Sequence, residues 1–323
     1  MYRLFGMEVS PYSVKVRALL RFKQVPFEWL LRSRANEAAF REHAKVPLIP
    51  LLVTPTGAMQ DSTPMMDFLE TEHPTPGIRL ANPMLNFLSD ALEEAADEWL
   101  IKPMFHYRWN YEADRREASL RIATASVDPG TDPGKFAEMI GAHLMTRREP
   151  LGCSDANVAL IERYLLEGAS RLNAHLQARL FLFGDQLSAA DLGLGSLYYE
   201  LYSDPTPSTL LRPFSALSAW AQRSMNPEGL GTGKSESWDS LSATLRPVLE
   251  HELGTHYLPW AKANAAALAS GDGTPFTIKL GGTDFTQPAQ KYPAKSWRML
   301  QERWAALTPD AQASIRDIIG EAV

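Results

Sequence analysis

The chain has 323 residues, of which 45% are hydrophobic and 22% are charged, and its net charge at pH 7 is −6. Two or three globular domains fit this length, and no apolar run is long enough to predict a membrane-spanning helix. The charge is spread along the sequence without a basic stripe, so neither a membrane nor nucleic acid is an expected partner.

The N-terminus and the cysteine content indicate a reducing compartment. MYRLFGMEVS enters a predicted strand directly, with no apolar signal core and no transit peptide. The only cysteine is Cys153, which excludes an intramolecular disulfide and a cysteine-based metal cluster. We therefore expect a cytoplasmic protein, and Cys153, which has no companion Cys or spaced His, is predicted to have no chemical role.

Strand and helix signals alternate from the N-terminus to about His73. Tyr2 to Phe5 predicts a short strand, and Ser10 followed by Pro11 and apolar residues predicts a helix capped by Ser10. Phe27 to Leu31 returns to a strand. With the segments that follow, the predicted order is β-α-β-α-β-β-α.

The segment VPLIPLLVTPTGAMQDSTP, residues 46 to 64, predicts a hairpin followed by a helix start. Leu48 to Val53 is apolar enough for a buried strand, the following Thr-Pro-Thr-Gly supplies turn residues, and Ala58 to Gln60 can return antiparallel. Asp61 and Ser62 then precede an apolar helical face, so a helix is expected to begin at Ser62.

Pro50 lies inside this predicted strand, where a central strand does not tolerate proline. A cis Ile49–Pro50 bond resolves the conflict, because the chain then turns and the N–H and C=O of Ile49 stay free to pair with another extended peptide. The sequence therefore predicts a cis bond and an open main-chain edge at Ile49.

The Pro-rich link from His73 to Gly77 marks a change in composition, after which helical periodicity predominates. A long helix opens near Leu85, and an all-α bundle is expected over residues 82–226. Ser188 and Asp191 form a predicted capping box with a structural role. Further helices are predicted at about 133–147, 155–178, 188–202 and 212–225.

Residues 227–323 read as an α-rich extension that packs on the helical domain through an apolar face including Trp297 and Trp304. Its predicted elements are helices over Trp238–Ala269 with breaks at Pro247 and Pro259, a hairpin over Phe276–Phe285, and helices over Ala294–Ile319 interrupted at Pro309.

Two short motifs in this part of the chain resemble ligand sites without meeting their requirements. GLGTGKS resembles a phosphate-binding loop, but Glu228 stands where a glycine is required. HELGTH resembles a zinc helix, but His251 and His256 are five residues apart, which on an α-helix turns them away from each other. No nucleotide and no metal are therefore expected.

Three motifs in order resemble those of the glutathione transferase superfamily. SPYSVKVR, from Ser10, is similar to its active-site turn and first helix, IPLLVTPTGAMQDST to its Val-Pro hairpin and Glu/Asp-Ser element, and SAADLGLGSLYYEL, from Ser188, to its helical-domain capping box. The resemblance covers about residues 1–226 and is closest to long bacterial members with an extra C-terminal segment. It implies a thioredoxin-like α/β domain (1–77), an all-α domain (82–226) and a homodimer, whereas the extension (227–323) is predicted from its own sequence.

The resemblance also implies glutathione as co-substrate, with the sulfur at Ser10. A thiol with a pKa of about 8.5 is mostly protonated at neutral pH, so activation requires hydrogen-bond donors and positive potential, which a hydroxyl at a helix N-terminus provides. Tyr12 and Ser13 offer N–H groups at the same turn, and their hydroxyls are rivals to that of Ser10. Serine where other members have cysteine favours conjugation over disulfide exchange.

At the other end of the peptide, Asp61 suits the γ-glutamyl ammonium and Ser62 the adjacent carboxylate. The backbone of Ile49, oriented by Pro50, would hold the cysteinyl unit. Many relatives place Lys or Gln where this chain has Leu48, so the anchor for the glycyl carboxylate is missing.

Three nearby cations offer partial substitutes for that anchor. The Lys-Val-Pro sequence at Lys45 matches the motif in a shifted register, which would demand a longer hairpin. Lys45, Arg32 or Arg34 can contribute charge near the ligand, and a solvated surface position is the alternative for each.

The second substrate is expected between the domains. Tyr107 and Tyr111 lie four residues apart in an aromatic run and share a helix face, so they are candidate pocket residues, with core packing as the alternative. The leading function is conjugation of glutathione to a small, apolar or aromatic electrophile. The alternatives are a non-catalytic ligand-binding or regulatory protein and, third, a disulfide reductase.

Overall fold

The structure, a computed structural model, describes residues 1–271 and 273–321. Its N-terminal part is a four-stranded sheet in the order β2-β1-β3-β4, in which β1 runs parallel to β2 and antiparallel to β3. The order β-α-β-α-β-β-α is the predicted one. Its elements are β1 (Tyr2–Gly6), α1 (Pro11–Phe22), β2 (Phe27–Leu31), α2 (Glu37–His43), β3 (Leu51–Thr54), β4 (Gly57–Gln60) and α3 (Ser62–Glu72).

Alternation along the central strands places apolar side chains on both faces of the sheet. Leu4 and Leu52 belong to the large core that α1 and α3 share with the rest of the molecule. Phe5 and Leu51 point to the opposite face and pack with Phe40 of α2 in a smaller cluster. This three-layer arrangement, with helices on both faces of the sheet, is that of a thioredoxin-like domain.

The predicted cis Ile49–Pro50 bond is present, and β3 begins one residue after it, at Leu51. The strand is therefore shorter than the predicted Leu48 to Val53, and Pro50 removes no hydrogen bond from the sheet. The return strand pairs antiparallel with β3, Leu51 opposite Gln60.

Helices form the next region, and Ser188 and Asp191 make the predicted capping box at the start of the helix Ala189–Ser203. Asp191 also accepts hydrogen bonds from Leu182 N (2.8 Å) and Trp220 Nε1 (2.7 Å), so it joins three elements. The helices are α4 (Pro83–Ala95), α5 (Ile101–Asn110), α6 (Glu112–Ser126), α7 (Gly134–Met145), α8 (Val158–Leu176), α9 (Ala189–Ser203), α10 (Pro205–Leu211) and α11 (Ser215–Met225), with a π-helical segment at Ala96–Leu100 and a 3₁₀ turn at Asp155–Asn157.

The sequence did not predict α6 or α10. Helix α6 buries only small or polar side chains, namely Asp114, Ala118, Ser119 and Ala123, so it lacks the apolar periodicity on which such a prediction rests. Helix α10 begins at Pro205 and carries a second proline, Pro207, within its first turn, a composition that favours a loop.

The extension contains the predicted hairpin and the predicted interruption at Pro309, but the predicted breaks at Pro247 and Pro259 are wrong. Both prolines lie within a stretch that is helical from Trp238 to Ser270, in which the segment between them, Glu250–Tyr257, is π-helical. The elements are β6 (Thr232–Ser235), which pairs with β5 (Gly184–Gln186), then α12 (Trp238–Leu249), α13 (Leu258–Ser270), β7 (Phe276–Leu280), β8 (Thr283–Gln287), α14 (Lys291–Ala305) and α15 (Pro309–Ile319).

A π-helical segment, Glu250–Tyr257, connects α12 to α13 and corrects the expected geometry of HELGTH. In a π-helix the hydrogen bonds run from residue i to i+5, so five residues make about one turn. The rings of His251 and His256 consequently lie 4.7 Å apart instead of turning away from each other. Even so, the described residues contain no group of three or more His, Cys, Asp or Glu placed to hold a metal ion.

The extension shares its core with the preceding helices. Trp99 packs on Trp260 of α13 at 5.6 Å and on Phe285 of β8 at 5.1 Å, and Trp304 of α14 lies 5.4 Å from Phe87 of α4. One continuous apolar cluster runs from Leu4 to Ile319. Among the described helices, none combines the length and apolar character needed to cross a membrane.

Candidate functional site

Ser10 caps α1 and keeps a hydrogen-bond donor free. Its Oγ accepts from the N–H of Ser13 at 3.3 Å and from the hydroxyl of Ser13 at 3.0 Å. Because Ser10 is half-buried and its O–H meets no acceptor in residues 1–271 or 273–321, it can donate to a ligand. Ser13 is fully buried, and the Tyr12 hydroxyl already donates to the carbonyl of Asp97 at 3.0 Å.

Two contacts fix the turn that carries Ser10. The Arg108 side chain on α5 donates to the carbonyl oxygen of Val9 at 2.8 Å, and its remaining N–H groups pair with Glu200 and Asp204, each at 2.7 Å. Gly6 ends β1 so close to α1 that a Cβ there would lie 2.7 Å from that of Ser13. Arg108 of the helical region thus fixes the turn through its hydrogen bond to Val9. Glycine at position 6 allows β1 to lie close to α1.

The main chain at Ile49 is open. Neither its N–H nor its C=O takes part in a hydrogen bond within the described part of the chain, and the residue is half-buried. Gln60 supports the preceding loop: its side-chain amide donates to the carbonyls of Leu48 (2.6 Å) and Val46 (2.8 Å) and accepts from Lys45 N (2.9 Å). The Gln60 side chain, which the sequence did not single out, therefore positions this edge.

Asp61 and Ser62 start α3, and both side chains already have partners. Asp61 has φ of +87°, a region that non-glycine residues seldom adopt, and its carboxylate accepts from Tyr292 Oη at 2.6 Å and pairs with Lys295 Nζ at 3.3 Å. The buried Ser62 hydroxyl donates to Asp97 Oδ2 at 3.3 Å. The N–H of Ser62 is unpaired among the described residues, as expected at a helix N-terminus.

A buried ion network joins the two helix starts. Lys15 of α1 is fully buried, and its Nζ contacts Glu93 Oε1 at 2.7 Å and Asp97 Oδ2 at 2.6 Å. Burial alone would lower the pKa of Lys15, but the two carboxylates raise it overall. Burial raises the pKa of Asp97 to about 7 despite the Lys15 charge. Since Asp97 also accepts from Ser62 and, through its carbonyl, from Tyr12, this network holds α1 and α3 against the π-helical segment at 96–100.

Glu98, the next residue, contacts the extension. Its carboxyl group accepts from the Ser296 hydroxyl of α14 at 3.3 Å. Burial, with the nearby charge of Asp97, raises its pKa from 4.5 to about 8. Burial therefore favours the protonated form of the Glu98 carboxyl group in the folded protein.

A cavity of about 480 Å³ reaches the β1–α1 turn through Met7, and neither Ser10 nor Ile49 lines it. Its walls come from the β1–α1 turn, the loop after β2 and the loop between α6 and α7. Arg32 pairs with Glu37 and covers the ring of Phe40, whereas Arg34 is largely exposed and pairs with Asp128 at 3.6 Å. The lining residues are Met7, Arg32, Ser33, Arg34, Glu37, Ser126, Val127, Asp128, Thr131 and Phe136.

The remaining sequence candidates lie elsewhere. Tyr107 is buried in the core and stacks on Tyr111 at 5.6 Å, and the Tyr111 hydroxyl donates to Glu162 at 2.6 Å. Neither tyrosine lines this cavity. Leu48 is 65% exposed, and no ion pair to Lys45 occurs in the described residues. The structure thus brings together Ser10, Tyr12 and Ser13 at one helix start and Asp61 with Ser62 at another, and sets Tyr107 and Tyr111 apart.

Sequence reasoning missed Lys15, Asp97, Tyr292 and Lys295. Lys15 did carry a signal, because it stands between Val14 and Val16 on an otherwise buried helix. Asp97 belongs to the acidic cluster Glu93, Glu94, Asp97 and Glu98 on the apolar helix that follows the domain link, and buried acids require partners. Nothing local indicates that Tyr292 and Lys295 contact Asp61, which is more than two hundred residues away.

The architecture is that of a thioredoxin-like domain joined to a helical domain, and comparison with known proteins identifies the first of these domains. Residues 4–77 match the family model described as glutathione S-transferase, N-terminal domain. This match identifies the N-terminal domain, and a solved structure with a TM-score above 0.5 supports the fold of the chain as a whole.

A structural comparison supports the fold through one solved structure with a TM-score above 0.5, and two others are similar at lower scores. The beta-etherase LigF from Sphingobium sp. strain SYK-6 is 18% identical over 70% of this chain and 98% of its own, with a TM-score of 0.52. A glutathione S-transferase from Methylobacterium radiotolerans, in complex with glutathione sulfonate, is 20% identical over 73% and 96%, with a TM-score of 0.46. A GST-like protein from Pseudomonas syringae is 17% identical over 72% and 68%, with a TM-score of 0.47. No curated protein matches the sequence.

Replacing Lys15 by Met leaves Glu93 and Asp97 buried without their cation. We expect Lys15→Met to lower the free energy of unfolding by about 3–5 kcal/mol, measured by urea denaturation. Lys45→Met, an exposed lysine in the same domain, should change it by less than about 0.5 kcal/mol. A loss below about 1 kcal/mol in Lys15→Met would contradict a structural role for the network.

Glu98 should make stability depend on pH. Because its pKa is about 8 in the folded state and 4.5 ordinarily, the folded protein binds more protons between these values and stability falls as pH rises. Glu98→Gln removes this dependence, so its stability relative to wild type should be greater at pH 8 than at pH 5 by about 1–3 kcal/mol. Thermal and urea unfolding at both pH values measure it, with the exposed Glu117→Gln as a control whose relative stability should stay constant.

Proposed function

We propose that the protein binds glutathione and transfers its thiolate to a small apolar or aromatic electrophile. The observation that carries the proposal is the free hydroxyl hydrogen of Ser10 at the α1 N-terminus, in the same domain as the open main-chain edge at Ile49. A peptide thiol needs both features, one for its sulfur and one for its backbone. The domain match to the glutathione S-transferase family supports the choice of peptide.

In this proposal the peptide lies along the cis-Pro loop. Its cysteinyl unit pairs with the backbone of Ile49, whose conformation Pro50 sets. Its γ-glutamyl carboxylate meets the unpaired N–H of Ser62, and its ammonium approaches Asp61. Gln60 keeps the loop in place through its hydrogen bonds to the preceding carbonyls.

The glycyl end lacks the expected side-chain anchor. Leu48 is exposed and apolar, so this carboxylate relies on solvent or on the exposed Arg34 beside the cavity. An ion pair with an exposed arginine contributes little. We therefore expect modest affinity for glutathione.

The chemistry follows from the hydrogen bonding at Ser10. The thiol loses its proton to solvent, and the Ser10 O–H, together with the N-terminal end of the α1 dipole, stabilises the thiolate. The sulfur then forms a bond to the electrophilic carbon, whose leaving group departs with the bonding electrons. The cavity of about 480 Å³, with its apolar Met7, Val127 and Phe136, is the proposed site of the electrophile.

A non-catalytic ligand-binding protein is the second candidate. Two observations favour it: Leu48 supplies no charge for the peptide, and both oxygens of Asp61 are already engaged by the extension. Titration calorimetry with glutathione separates the candidates. If glutathione gives no heat of binding, the second candidate is favoured.

Ser10→Ala tests the role of the hydroxyl. Loss of a hydrogen bond to a charged sulfur should lower kcat/KM for glutathione with 1-chloro-2,4-dinitrobenzene by about 10- to 100-fold. The conservative Ser10→Thr should recover part of the activity, and Ser314→Ala, on the distant helix α15, should leave it unchanged. Thermal unfolding of each variant corrects for loss of the helix cap. Equal activity in Ser10→Ala would reassign the sulfur contact.

The proposal includes the homodimer that the resemblance implies and the cytoplasmic location with which the single cysteine is consistent. Arg303 of α14 pairs with Asp67 of α3 and Asp90 of α4, so the extension covers part of the surface of both helices. We expect a dimer to form through other surfaces, and light scattering in solution should give twice the mass of one chain. A monomeric mass would contradict this part of the proposal alone.

A further inference from the structure

The first turns of α14 occupy the Asp61 end of the proposed site. The Tyr292 hydroxyl donates to Asp61 Oδ1 at 2.6 Å, and Lys295 Nζ lies 3.3 Å from Oδ2. The Lys295 ammonium also lies 5.4 Å from the centre of the Tyr292 ring. Each carboxylate oxygen of Asp61 therefore has a partner from the extension.

Packing, more than these two contacts, determines where α14 lies. Trp297 and Leu300 are buried in the core, and Ser296 donates to the buried Glu98. Further along the helix, Arg303 pairs with Asp67 at 3.1 Å and with Asp90 at 3.3 Å. Contacts that do not involve Asp61 thus fix the position of α14. They place Tyr292 and Lys295 next to Asp61.

This arrangement changes what Asp61 can bind. A peptide ammonium that pairs with Asp61 would lie close to the Lys295 ammonium, and like charges placed together disfavour binding. A peptide carboxylate near the N–H of Ser62 would be attracted by the same lysine. Lys295 thus opposes one charge of a γ-glutamyl group and favours the other.

We propose that Lys295, supported by Tyr292, is a specificity-determining residue that selects thiol peptides with a terminal carboxylate but without a free α-ammonium at the Asp61 end. The lysine supplies the positive charge that the α-ammonium of glutathione would otherwise bring to Asp61. This inference rests on the proposed peptide-thiol site. The ligand class is an N-acylated cysteinylglycine whose acyl chain ends in a carboxylate.

The test compares two peptides that differ only in the amino group, glutathione and glutaryl-cysteinylglycine. Calorimetry on the full-length wild-type protein should give tighter binding of the glutaryl peptide. Lys295→Met should shift the ratio of dissociation constants toward glutathione by about tenfold, and Tyr292→Phe should shift it in the same direction by less. Lys291→Met removes an exposed lysine from the same helix and should keep the wild-type ratio.

The possible outcomes distinguish failure of this inference from failure of the proposed function. If both peptides bind and Lys295→Met leaves their ratio unchanged, the inference is overturned while glutathione binding stands. If neither peptide binds any variant, the proposed function fails and the inference fails with it. Circular dichroism and thermal unfolding establish that Lys295→Met keeps the wild-type fold, which its half-exposed side chain leads us to expect.

Discussion

The ion contacts of Lys15 with Glu93 and Asp97 are the constraint on which the candidate site depends. A fully buried lysine is tolerated only when carboxylates accept its charge, and both acceptors come from the helical region. The same carboxylates accept from Ser62 and Thr63 at the start of α3. Docking of the thioredoxin-like domain on the helices therefore helps to fix α1 and α3, which carry the two ends of the proposed peptide site.

The two π-helical segments place functional groups where α-helices would not. Each inserts an extra residue per turn and so rotates the side chains that follow it. In the first segment Asp97 faces the N-terminal domain, while Trp99 is buried against Trp260 and within 6.0 Å of His256, a residue of the second segment. The extension is thus continuous with the core that supports the site.

Local patterns predicted the N-terminal domain well because its determinants are local. Pro50 in an apolar run indicated the cis bond, and Ser188 with Asp191 three residues later indicated the capping box. The features that the sequence did not predict depend on contacts between residues far apart in the chain. The π-helical geometry at 250–257 reversed the expected orientation of His251 and His256, and the Tyr292 contact to Asp61 joins segments whose sequences carry no common signal. Only the packing of the folded chain determines which of these distant residues come into contact.

Asp61 combines two demands that explain its position. Its backbone has φ of +87°, which costs about 1–3 kcal/mol for a residue with a side chain. Contacts of the Asp61 carboxylate with the Tyr292 hydroxyl and the Lys295 ammonium offset this cost. The negative charge of Asp61 also contributes to the raised pKa of Asp97 and of Glu98. Asp61 lies near Asp97 and Glu98, so its negative charge requires a nearby cation. Lys295 of the extension is that cation. Any ligand cation that replaces Lys295 at Asp61 has to provide the same compensation.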